Sequence, residues 1–147
     1  MEKKTIEKID YFRKDQSDGI SPPNLVMDCT YSEHIVHARG KRTQFTSVSL
    51  DPNKIKEFGP TLYKLKEEET LSDGHKIIEH QILLDALHTA AQNETKAERI
   101  RALQAIRYAR RRKEALIDWQ FDISSIERKK IITWSKKQVN KYFSRQS

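Results

Sequence analysis

Apolar and polar residues alternate most regularly over Phe45-Thr46-Ser47-Val48-Ser49-Leu50. A period of two predicts a strand, with Phe45, Ser47 and Ser49 on one face and Thr46, Val48 and Leu50 on the other. Asp51-Pro52 follows as a helix N-cap with proline in the first helical position, opening a short helix through Ile55 to Phe58 that Gly59-Pro60 ends. Serine is a poor strand residue, and an inward-facing hydroxyl needs a partner. Two serines at this spacing therefore ask for a polar ligand or for bonds to neighbouring backbone.

Elsewhere the pattern is more broken. Ile9 to Phe12 is a short apolar run that predicts a strand ending at Arg13-Lys14-Asp15, followed by turn residues at Ser17-Asp18-Gly19 and Ser21-Pro22-Pro23. Thr30 to Ala38 fits a helix or irregular structure, and Arg39-Gly40-Lys41 breaks the chain before the serine strand. Thr61 to Leu65 reads as a strand and Ser72-Asp73-Gly74 as a turn. Two helices are predicted next. The first runs from about Lys76 to Ala91 on a stripe of Leu83, Leu84, Leu87, Ala90 and Ala91; the second opens at a capping box, Thr95 with Glu98, and carries Ile100, Leu103 and Ile106. Glu114 to Phe121 and Ile131 to Trp134 read as two further strands, and 136–147 as a frayed basic tail.

Composition narrows the class. The 147 residues are enough for one domain, the expected organisation, and 36% hydrophobic against 33% charged residues predicts a thin core under a wide wet surface. The one cysteine, Cys29, excludes an intramolecular disulfide framework. No apolar run reaches the length of a membrane span, and Met1-Glu2-Lys3-Lys4 leads into no signal-like apolar segment. None of the five histidines pairs at the His-x-x-x-His spacing of a helical zinc site, and four glycines form neither a Walker loop nor a dinucleotide fingerprint. No metal is expected.

Charge is segregated. From Arg99 onward fourteen Lys and Arg face four acids, whereas the preceding residues are slightly acidic, so the net +7 arises in the last third. A field concentrated in this way draws polyanions or an acidic partner.

Three separated pieces resemble the Arg, Ser-Thr-Ser and Glu elements of NAD-dependent mono-ADP-ribosyltransferases: Arg13 in Tyr11-Phe12-Arg13, Ser47-Val48-Ser49, and Glu114 in Glu114-Ala115-Leu116-Ile117. The segment 114–134 resembles that family's ending, a glutamate strand, a loop with an apolar residue (Ile123 or Ile126) and a closing strand. The resemblance implies an α+β fold, small mixed sheets forming an NAD cleft with two helices inserted between about 76 and 112. It also implies the roles. Arg13 would bind the diphosphate, as a guanidinium does bidentately. Ser47 would fix the nicotinamide side, Ser49 would support the strand, and Glu114 would bond a ribose hydroxyl and stabilise the cationic sugar of the transition state. Phe12 and Phe58 complete the cofactor-binding set.

Two departures from the family bear on the acceptor. Val48 replaces the middle threonine and keeps a β-branched residue there. Arg112 stands two before the glutamate, where relatives that modify proteins carry Glu or Gln to present the acceptor. An arginine contacts phosphate instead. With Arg110, Arg111 and Lys113 it forms a target-binding group that points to RNA, most simply structured RNA of the translation machinery, as the molecule modified. A protein acceptor such as a translation factor, or a non-enzymatic nucleic-acid-binding module, are the alternatives. The chain also resembles detachable C-terminal toxins of bacterial polymorphic, Rhs-type effectors. That resemblance implies delivery into a target cell's cytoplasm and an immunity protein covering the NAD cleft; a monomer is expected.

Overall fold

In the strand at Phe45–Ser49 both alternating faces are used. Val48 packs in one hydrophobic cluster with Tyr11, Ile117 and Trp119, while Phe45 packs in another with Ile35, Leu83 and Leu116. The computed structural model describes residues 9–37 and 42–146, with the His37 side chain left aside, so the break expected at Arg39-Gly40-Lys41 lies outside the described residues. Six strands form one sheet: β1 (Phe12–Asp15), β2 (Phe45–Ser49), β3 (Thr61–Leu65), β4 (Lys76–Ile78), β5 (Glu114–Asp118) and β6 (Phe143–Arg145). Their order is β4-β5-β2-β1-β3-β6. The five described helices are α1 (Tyr31–His37), α2 (Glu67–Ser72), α3 (His80–Ala90), α4 (Lys96–Arg112) and α5 (Ile131–Val139).

The architecture is α+β, as expected, but the sheet is antiparallel at every pairing and not mixed. The helix pair explains part of this. α3 and α4 pack together and carry the chain out and back, so β5 returns against β4. Ala102, Ala105, Ile106 and Ala109 form the inner face of α4, the alanines letting the helix lie close. Ile100 and Leu103, expected on that face, are instead 47% and 56% exposed.

Other expectations are corrected at element ends. The first strand begins at Phe12 and runs through Asp15, placing Arg13 inside it, because Arg13, Lys14 and Asp15 all pair with β3. Lys76 to Ile78 is a strand, not the first turn of a helix: its two isoleucines pair with Ile117 and Leu116 of β5. Ile131 to Trp134 is the start of α5, since Ile131, Ser135 and Val139 are buried at intervals of four while Ile132 is half exposed. The closing strand is β6, in the segment expected to fray. Residues 136–146 are held by α5, by pairing of β6 with β3, and by Asn140, whose side chain bonds both backbone groups of Ile20. The residues after Asp51 form two successive 3-10 turns, Pro52–Lys54 and Lys56–Phe58, with Asp51 capping the first through the Asn53 N–H at 2.9 Å. Thr95 makes no side-chain cap, and Glu98 pairs with Arg101. The capping box that forms is Thr30 with Glu33, ahead of α1.

Candidate active site at the opening of the sheet

β1 and β2 meet through a single register pair, Phe12 with Ser49, whereas four pairs join β1 to β3 and five join β2 to β5. The sheet opens along that join. A cleft of about 1130 Å³ lies there, with walls from β1, α1, β2, the 3-10 turns, α4 and β5. It is somewhat larger than the roughly 300–1,000 Å³ usual for small-molecule sites. Of the residues singled out in the sequence, Phe12, Arg13, Ser47, Phe58, Arg111, Arg112 and Glu114 line it.

Arg13 bridges the opening. Its Nη1 donates to the Ser47 carbonyl at 2.8 Å, and its Nε to Asp15 Oδ2 at 2.8 Å. Asp15 also receives the Ser21 N–H and hydroxyl and the Gln16 N–H, so the guanidinium is held by a saturated carboxylate. Two of the five guanidinium N–H donors are thereby engaged in positioning, while the side chain keeps its place on the cleft wall.

The two serines divide the work that their spacing left open. Ser49 is 1% exposed, donates to the Arg112 carbonyl and accepts the Asp51 N–H at 3.0 Å, tying β2 to the end of α4. Ser47 faces the cleft and shares a 2.7 Å hydrogen bond with His34 Nε2, while His34 Nδ1 bonds Thr43 Oγ1. A hydroxyl, an imidazole and a second hydroxyl thus form one chain. Burial, with the positive charges of Arg13 and Arg112, pushes the His34 pKa down to about 4, so the ring is neutral near pH 7.

Glu114 opens β5 opposite Ser49, on the same face as Ser47. It is 3% exposed; Oε1 lies 3.9 Å from Arg112 Nη1, and Oε2 is buried without a hydrogen-bond partner. Burial raises its pKa to about 7, against the lowering pull of Arg112 and then Arg13. A buried carboxylate oxygen with no donor costs stability and is the kind of atom that a ligand hydroxyl satisfies. The Glu114 backbone is fixed from the other side, where the His80 ring Nδ1 bonds its carbonyl at 2.8 Å, just beyond the last β4 pair.

Local chain geometry brings Arg112 and Phe58 over this acid. Lys113 sits in the left-handed region at φ 47°, turning α4 into β5 without a linker, so Arg112 and Glu114 reach the same opening. Gly59 passes so close to β1 that a Cβ would approach the Asp15 backbone to 2.7 Å. That close passage seats Phe58, whose ring lies 4.6 Å from the Arg112 guanidinium carbon; Tyr108 lies 5.3 Å from it and 5.7 Å from that of Arg111. Of the expected basic quartet, Arg111 and Arg112 line the cleft, whereas Lys113 does not and Arg110 contacts His88 on α3.

Sequence reasoning assigned neither His34 nor His80 to the site. The Thr30-Glu33 capping box was the available signal, since it starts the helix that aims His34 at Ser47; nothing local marks His80. Among the described residues there is no cluster of His, Cys, Asp or Glu able to hold a metal ion, and no helix long and apolar enough to cross a membrane. No protein-family model matches the chain, and neither a curated protein nor a solved structure matches it. A guanidinium, a neutral hydroxyl–imidazole relay and a desolvated acid around one cleft suit a ligand with an anionic part and a hydroxyl to anchor.

Proposed function

We propose that the chain is an NAD-dependent mono-ADP-ribosyltransferase whose acceptor is RNA. The observation that carries this reading is the convergence of Arg13, Ser47 and Glu114 from three neighbouring strands, β1, β2 and β5, onto one cleft, with Glu114 Oε2 unsatisfied. The donor set fits NAD. The remaining Arg13 N–H groups suit the diphosphate, Ser47 held by His34 suits the nicotinamide side, and the free Glu114 oxygen suits a ribose hydroxyl.

In the reaction the bond from ribose C1′ to nicotinamide breaks with its electron pair leaving on the ring nitrogen. The acceptor oxygen bonds C1′ and its proton passes to Glu114, whose pKa of about 7 suits both the anion that stabilises the sugar cation and the acid that holds the proton. His34 positions Ser47 and, being neutral, adds no charge to repel that cation.

Arg112 beside Glu114 favours a phosphate-bearing acceptor over a protein one, because a cation there cannot accept a hydrogen bond from an acceptor side chain. The toxin resemblance extends the reading to an effector that acts on translation in the cytoplasm of a target cell. Labelled NAD incubated with a cell lysate tests it. Label that survives protease and vanishes with ribonuclease supports the reading; label on a protein band redirects it to a protein acceptor, and no nicotinamide release at millimolar NAD refutes it.

A further inference from the structure

α4 carries seven Lys and Arg against one acid, and they do not share one environment. Arg99 is tied to the Asn93 and Glu94 carbonyls at 2.8 Å, and Arg101 is paired with Glu98. Lys96, Ile100, Leu103, Arg107 and Arg111 recur at spacings of four, three, four and four, which places them on one exposed stripe opposite the buried alanines. The stripe spans roughly 22 Å of helix. It alternates in character: a cation, two apolar residues about half exposed, then two cations. Its C-terminal end runs into the cleft wall at Tyr108, Arg111 and Arg112, beside the exposed ring of Phe58 and the buried Glu114.

We propose that this stripe is a track for an unpaired stretch of RNA, which lies along α4 and delivers a nucleotide to the mouth of the cleft. Lys96 and Arg107 take phosphates, Ile100 and Leu103 take sugar and base faces between them, and a base stacks on the Tyr108, Arg112 and Phe58 group. Cations tracking a backbone beside planar groups are the general means of holding a single strand. A duplex fits less well, because its bases are stacked inside and offer no face to Ile100, Leu103 or the rings. The charge excess selects a polyanion; the apolar pair within it selects one that carries bases. Naming this strand the acceptor rests on the transferase reading, whereas the binding itself does not.

The test is fluorescence anisotropy of a labelled unpaired RNA dodecamer with the full chain, without NAD, across a salt series. The double variant Lys96→Glu with Arg107→Glu should weaken binding about tenfold or more and lower the log–log salt slope by about 1.4, corresponding to two single-strand phosphate contacts. A charge-matched control, Lys129→Glu with Lys130→Glu, reverses two exposed lysines in the 3-10 turn before α5 and should change affinity less than about threefold. Inorganic polyphosphate of similar length should bind about tenfold more weakly than the RNA, because it has nothing to stack. Equal loss in the two double variants, or polyphosphate binding as tightly as RNA, overturns the track. Nicotinamide release from NAD is measured on the same proteins and should be unchanged by Lys96→Glu with Arg107→Glu. Wild-type protein that binds RNA as described but releases no nicotinamide would sink the transferase reading and leave the track standing.

Discussion

Two buried carboxylates stand on the walls of the same cleft, Asp15 and Glu114, each 3% exposed and each near Arg13. Their surroundings are opposite. Asp15 receives Arg13 Nε, the Ser21 N–H, the Ser21 hydroxyl and the Gln16 N–H, all within 2.9 Å. Burial alone would raise its pKa, but Arg13 and these donors outweigh it and the carboxyl is held below its ordinary range. Glu114 has one guanidinium nitrogen at 3.9 Å and an oxygen with no partner, and burial wins. Equal burial thus marks neither acid as functional. The saturated one aims an arginine and is architecture; the unsatisfied one is available to a ligand.

The sharpest way to break this contrast is to remove each acid. Glu114→Ala should lower nicotinamide release by about 10²–10³, the usual cost of losing a preorganised electrostatic contact to the transition state, with thermal unfolding little changed. A variant that retains near-wild-type release would mean that the acid near the reacting sugar is another one.

pH separates the pair nearly as strongly. In the proposed transfer ionised Glu114 is the reactive form, so kcat/KM for nicotinamide release should climb about tenfold per pH unit below a midpoint near 7 and level off above it. Asp15, already ionised throughout, adds no step. Stability should move the other way: with its folded pKa raised, Glu114 contributes stability that is full below about pH 4.5 and lost as pH rises through about 7. His34, lowered to about 4, has the opposite effect, contributing above pH 6.5 and losing it as pH falls through 4. Urea unfolding of wild type and Glu114→Gln from pH 4 to 8 should therefore differ in slope, the variant losing the fall between about pH 4.5 and 7 while the rise from the buried histidines, His34 and His75, remains. Equal pH slopes in the wild type and the variant would contradict the raised Glu114 pKa.

Asp15→Asn should act on the fold. It leaves Arg13 without its anion and one of the Ser21 donors facing an amide, a loss of about 2–3 kcal/mol in chemical denaturation. Release of nicotinamide by the surviving folded fraction should fall far less than in Glu114→Ala, because Arg13 keeps its bond to the Ser47 carbonyl.

What was legible in the sequence follows from range. The serine strand was readable because five residues suffice to show a period of two, and the acid at the head of β5 because a strongly apolar strand follows it. α5 was misread because Ile131-Ile132-Thr133-Trp134 is too short to show its period; the decisive burial of Ser135 and Val139 lies beyond it. Ile100 and Leu103 were grouped with Ile106 as the helix's apolar residues, whereas here alanines share the inner face with Ile106 alone. The site itself was half legible. Arg13, Ser47 and Glu114 carry local patterns, but the contacts of His34 with Ser47 and His80 with the Glu114 carbonyl depend on sheet order, which no window reveals.

The smallest expected effect concerns the residue that links the contrasted regions least visibly. Ser49 stands opposite Glu114 in the ladder and shares its face, so by position it is as much a site residue as Ser47. Its hydroxyl, however, is taken up by the Arg112 carbonyl and the Asp51 N–H. Ser49→Ala leaves that buried carbonyl and N–H short of a partner, and should cost about 1–2 kcal/mol of stability. Nicotinamide release should drop only a few-fold, through loosening of the α4 end that carries Arg112, and KM for NAD should stay near that of the wild type. Ser47→Ala is the matched control: its hydroxyl faces the cleft and His34, so KM should rise while unfolding shifts less. If Ser49→Ala instead raises KM for NAD and spares stability, the second serine touches the ligand, and the division of labour between the two serines fails.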